Sequence, residues 1–72
     1  MTMAILKING REKNFGQGQM PETLMELLDH MDIHHATIVA EINGEVIDLN
    51  KFTQTPIAEG QTIELVRFVG GG

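Results

Sequence analysis

Ten acidic side chains against five lysines and arginines leave this 72-residue chain with a formal charge of −5 at pH 7, which repels phosphate backbones and anionic lipid and argues against nucleic acid or a membrane surface as partner. The absence of cysteine excludes disulfides, thiolate metal sites and a nucleophilic thiol of the chain's own, so any sulfur it handled could not be carried as its own persulfide. The length allows one small domain with a modest core, and neither a signal-like segment between Met1 and Lys7 nor an apolar run of spanning length is present, so the expected location is the cytoplasm.

Met3 to Ile8 reads as a strand, and Asn9-Gly10 is a strong hairpin signal because a type I′ turn needs positive φ at both central residues. Arg11 to Phe15 then returns antiparallel, with Ile8 opposite Arg11, Leu6 opposite Lys13 and Ala4 opposite Phe15. That register puts Ala4, Leu6, Ile8 and Phe15 on the core face and leaves Ile5 and Lys7 outside. Gly16-Gln17-Gly18-Gln19 is a loop. Its Gly-x-Gly lacks the third glycine and the βαβ setting of a nucleotide fingerprint.

Pro21 suits the first turn of a helix, in which Leu24, Leu27, Leu28 and Met31 follow the i, i+3, i+4, i+7 stripe. Met25 lies off that stripe and is expected to be partly exposed; Glu22 complements the helix dipole, and no good N-cap is evident. His30, His34 and His35 fall at and beyond the helix end, where positive charge and donors to the last carbonyls are favoured. Asp29 and Asp32 stand near them, yet no third ligand has diagnostic spacing, so no metal site is expected.

Thr37 to Ile42 alternates Ile38, Ala40 and Ile42 against Thr37, Val39 and Glu41, and Asn43-Gly44 repeats the first turn before the short return Glu45 to Ile47. Asp48 to Phe52 reads as a single helical turn, Thr55 to Ile57 as an edge strand, and Glu59-Gly60 as a turn into the last strand. Glu12, Glu41, Glu45, Asp48 and Glu64 form no recognisable acid/base pair, and no Ser/His/Asp arrangement is visible. No catalytic residue is therefore expected, and the chain reads as something other than an enzyme.

Thr62 to Val69 forms the final strand, with Ile63 and Leu65 in one phase and Val66 and Phe68 in the other. Gly70, Gly71 and Gly72 follow. Without a Cβ they cost most to order and are nearly as thin as bare backbone, which suits a mobile segment threaded into another protein's narrow site. A free α-carboxylate at their tip is ionised at neutral pH and is already a nucleophile, able to form an acyl adenylate that sulfur or nitrogen nucleophiles open. A frayed glycine-rich end is the competing reading of these residues.

The order hairpin, helix, two short strands and a last strand predicts an α+β fold of the ubiquitin-like β-grasp kind, a mixed sheet of four to five strands crossed by one helix. It divides into a domain over residues 1–69 and a glycine tail over residues 70–72. Ile8-Asn9-Gly10, Thr23-Leu24 with Glu26-Leu27-Leu28, Glu41 to Gly44 and the ending Val66 to Gly72 together resemble the ThiS family of sulfur carriers in thiamine biosynthesis.

That resemblance implies a carrier with no bound cofactor whose Gly72 carboxylate is adenylated by a ThiF-like adenylyltransferase, the partner that uses ATP. Sulfur from a partner's cysteine persulfide then gives a thiocarboxylate, delivered to the thiazole synthase ThiG. Val66, Arg67, Phe68 and Val69 are the expected partner interface, with Val66 and Phe68 at its centre. The small subunit of molybdopterin synthase is an alternative, as is another sulfur carrier, though Arg67-Phe68-Val69 stands where the former usually has a proline-containing approach. A binding-only ubiquitin-like module is a further alternative.

Overall fold

The structure, a computed structural model, describes residues 4–67. Strands β1 (Ala4–Ile8) and β2 (Arg11–Phe15) form the first hairpin, helix α1 (Leu24–His30) crosses, β3 (Ile38–Ile42) and β4 (Glu45–Ile47) form the second hairpin, and β5 (Thr62–Arg67) closes the sheet. Single 3-10 turns at His35–Thr37 and Leu49–Lys51 precede β3 and follow β4. The five strands lie in the order β2-β1-β5-β3-β4. Thus β5 sits in the centre, parallel to β1 and antiparallel to β3.

Both hairpins follow from their Asn-Gly pairs: Asn9 and Gly10 take φ 51° and 81°, Asn43 and Gly44 take 52° and 87°, the left-handed values a type I′ turn requires. The first hairpin has the expected register, Ala4 with Phe15, Leu6 with Lys13 and Ile8 with Arg11. From the sheet's inner face Leu6, Ile8, Phe15, Ile38, Ala40, Ile42, Ile63 and Leu65 enter the core, where they meet Leu24, Leu27 and Leu28 of α1. Phe52 and Ile57, from the connection before β5, complete it. A seven-residue helix is far below the length that is stable alone. Burial of its three leucines, about 1.5–3 kcal/mol each, is what holds it.

Three sequence expectations need correction. The helix begins at Leu24 rather than at Pro21, and it does have an N-cap: Thr23, with φ −128°, accepts the Glu26 N–H on Oγ1 at 3.2 Å, while Glu22 N–H donates to the Glu26 carboxylate at 3.1 Å. Thr23-x-x-Glu26 is the capping-box spacing, overlooked behind the proline. Secondly, Thr55–Ile57 is not an edge strand of the sheet. Its one ladder contact is an isolated bridge from Pro56 to Thr23, because its main chain is committed to the start of α1. Leu24 N–H donates to Thr55 C=O at 2.9 Å, Met25 N–H to Phe52 C=O at 3.1 Å, and Ile57 N–H to Glu22 C=O at 2.9 Å. The helix's otherwise unpaired N-terminal donors are thereby satisfied from the chain's own connection.

The third concerns the histidines. The α1 carbonyls they were expected to serve are met by the backbone: Asp32, at φ 61°, donates to Asp29 C=O at 3.1 Å and Ile33 to Leu28 C=O at 2.9 Å. This is a Schellman ending with aspartate in the place glycine usually takes.

Candidate functional site

The last strand is built from both sides. Its inner phase, Ile63 and Leu65, is buried, while Thr62, Glu64 and Val66 face outward. On that outer face the register sets Val66, 55% exposed, directly beside Val39, 40% exposed. One row further from the strand's end, Glu64 stands opposite Glu41, and Val46 is Glu41's neighbour on β4. Like charges in directly opposed positions repel. A valine pair bordered by two carboxylates thus lies where β5 leads towards residue 72.

Of the expected interface residues, Val66 and Arg67 are both exposed but leave the strand on opposite sides, since Arg67 pairs with Ile38 in the inner phase beyond Leu65. Phe68, Val69, Gly70, Gly71 and Gly72 lie outside the described residues, and with them the expected adenylation site, the tail's expected mobility and the boundary at residue 69.

The asparagine side chains were not anticipated. Asn9 Oδ1 accepts the Leu65 N–H at 2.7 Å and its Nδ2 donates to the Leu65 C=O at 3.2 Å. On the other flank of β5, Asn43 Oδ1 accepts the Thr62 N–H at 2.9 Å. The only sequence signal is the Asn-Gly pair itself, which reads as a turn.

Asp29, Asp32, Ile33, His34 and His35 line an open depression of about 390 Å³, but His34 Nδ1 already accepts the Ala36 N–H at 3.2 Å and the His34 and His35 rings stack at 5.1 Å. His30 instead packs against Phe15, ring centroids 5.3 Å apart. Among the described residues no three of His, Cys, Asp and Glu converge to hold a metal ion. The Gly16-Gln17-Gly18 loop is followed by a helix whose first donors are already bound to Thr23, Phe52 and Thr55, so they are not presented to a phosphate. No described helix is long and apolar enough to cross a membrane.

Comparison with known proteins converges on one family. The ThiS family model matches residues 6–72. The sulfur carrier protein ThiS of Bacillus subtilis is 26% identical over 68 residues, covering 94% of this chain and all of that one. A thiazole synthase of Paramagnetospirillum magneticum is 31% identical over 67 residues, and there the chain spans only 20% of the relative's length. The crystal structure of the thiamine biosynthesis protein ThiS from Geobacter metallireducens superposes with a TM-score of 0.79 at 30% identity, covering 94% of this chain and 99% of that chain. A central last strand, one crossing helix and a five-stranded mixed sheet are common ground: the chain belongs to the ThiS family and has its ubiquitin-like β-grasp fold.

Proposed function

We propose that this ThiS-family sulfur carrier of thiamine biosynthesis works through the carboxylate of Gly72. The observation that carries the reading is the family match extending through the glycines to residue 72, on a chain whose last described strand is held at the centre of the sheet. The carboxylate attacks the α-phosphorus of ATP in the active site of a ThiF-like adenylyltransferase, releasing pyrophosphate and leaving an acyl adenylate. Sulfur from a partner's persulfide then displaces AMP, and reduction by a thiol leaves the thiocarboxylate. With no cysteine in the chain, the persulfide has to belong to another protein.

In this reading Gly70 and Gly71 contribute thinness, which lets the end reach a buried nucleotide, and Val66 with its neighbour Val39 forms the exposed apolar surface that the activating enzyme covers. Arg67, Phe68 and Val69 form the approach between surface and tail. The acceptor is a thiazole synthase, and the match to one such protein favours it over molybdopterin synthase. No catalytic residue is assigned to this chain; the activating enzyme binds the ATP.

Pyrophosphate exchange into ATP, measured with the activating enzyme and this chain, tests the reading. Exchange should appear with the full chain and vanish when Gly72 is deleted. Equal exchange with and without Gly72 contradicts it.

A further inference from the structure

The two Asn-Gly turns flank β5, and each sends its asparagine side chain to that strand's backbone. At the strand's beginning, Asn43 N–H donates to Thr62 C=O at 2.7 Å and Asn43 Oδ1 accepts the Thr62 N–H at 2.9 Å. Three residues further on, Asn9 holds Leu65 through both groups of its carboxamide, at 2.7 Å and 3.2 Å, across 56 positions of sequence. One acceptor and one donor offered to the N–H and C=O of a single residue reproduce what a neighbouring strand supplies. The amide can make both contacts in only one of its two flips.

The position of this bracket matters more than its strength. The parallel ladder between β1 and β5 covers Lys7 with Thr62 and Ile8 with Ile63, supported by Lys7 N–H to Gln61 C=O at 3.0 Å and Asn9 N–H to Ile63 C=O at 2.9 Å. There β1 ends and its chain turns away into β2. The alternation of the strand aims the main-chain groups of Gln61, Ile63 and Leu65 at the β1 side. Leu65 is thus the first residue of β5 on that side that β1 itself cannot pair, and the Asn9 side chain supplies the missing rung.

We infer that Asn9 is a positioning residue for the carrier reaction, its carboxamide fixing the course of the last strand where β1 has turned away from it. The inference rests on the carrier reading above. Beyond Leu65 the strand keeps only its β3 partner, Val66 with Val39 and Arg67 with Ile38, so among the described residues the Asn9 carboxamide is the last restraint on the strand's β1 flank before the chain leads on to Gly72, seven positions further along the sequence. Misplacing a reacting group by about 1 Å can slow a reaction about a hundredfold. Docking through the outer face is untouched, because Val66 pairs with Val39 on the other flank of the strand.

The two asparagines form an internal control. Asn9→Gly and Asn43→Gly each keep a residue tolerant of positive φ in a type I′ turn, and each removes a side-chain bracket, on opposite flanks of β5. Adenylation kinetics with the activating enzyme, together with amide hydrogen exchange, separate them. Asn9→Gly should lower kcat about tenfold, the worth of a released hydrogen-bond pair, with KM unchanged and exchange accelerated at Leu65. Asn43→Gly should accelerate exchange at Thr62 and leave kcat as it was. If Asn9→Gly does not fold, Asn9→Asp keeps the acceptor for the Leu65 N–H and loses the donor. It should lower kcat about threefold or more.

Equal losses of kcat in the Asn9 and Asn43 variants, or an unchanged kcat in whichever Asn9 variant is assayed, overturn the inference while leaving the carrier reading intact. A wild-type chain that is not adenylated at all overturns both.

Discussion

Leu65 and Val66 are adjacent in sequence and opposite in environment, 7% and 55% exposed, so truncating each should separate stability from docking. Val66→Ala removes two methyl groups, worth about 0.8 kcal/mol each when fully buried; less than half of that burial exists in the free protein, so unfolding stability should fall by about 0.7 kcal/mol. Leu65→Ala, in the core, should cost about 2–5 kcal/mol. If the activating enzyme covers Val66, burial of the remaining surface contributes about 0.9 kcal/mol, or four- to fivefold in affinity. Adding Val39→Ala, at 40% exposure, should bring the loss to about tenfold, although touching neighbours need not add independently. Urea unfolding and titration calorimetry against the activating enzyme provide the two readings. A double variant that binds as tightly as the parent, with stability reduced no more than expected, would refute the assignment of the outer face as the docking surface.

Thr23→Ala removes the helix N-cap and should lower stability by about 1 kcal/mol in urea unfolding while leaving sulfur transfer unchanged. Phe52, fully buried outside any strand, should cost about 3–5 kcal/mol when cut to alanine, enough to leave little folded protein on warming. Replacing His30, His34 and His35 together by Gln should preserve both fold and sulfur transfer, as followed by circular dichroism and thiocarboxylate formation. Stoichiometric metal in the parent that disappears in the triple variant would contradict that expectation.

What could be read from the sequence was what depends on neighbours along the chain. Asn9-Gly10 and Asn43-Gly44 each announce a turn type, the turn length dictates the register, and the register places Leu6, Ile8 and Phe15 together without any knowledge of the rest. Ile63 and Leu65 could likewise be assigned to the core from alternation alone. Thr23 was legible through its spacing to Glu26 but stood behind Pro21, whose fixed φ made an earlier helix start attractive. Thr55 to Ile57 misled because a short extended segment looks the same whether it pairs with a sheet or, as here, bonds its main chain to a helix start, Thr55 C=O accepting from Leu24 and Ile57 N–H donating to Glu22. The second role of Asn9 was beyond reach, since its partner Leu65 becomes a neighbour only once the parallel pairing of β1 and β5 is known. As for the proposed site, the glycines suggest it through composition alone, whereas the Val39–Val66 pair requires the β3–β5 register.

The account stands or falls on the chemistry at residue 72. Incubation of the chain with the activating enzyme, ATP and a persulfide donor, followed by intact-mass and fragment spectra, reads it directly. The predicted result is replacement of one oxygen by sulfur in the fragment ending at Gly72. Sulfur found on a lysine or histidine, or sulfur transfer that persists in full after Gly72 is deleted, would contradict it.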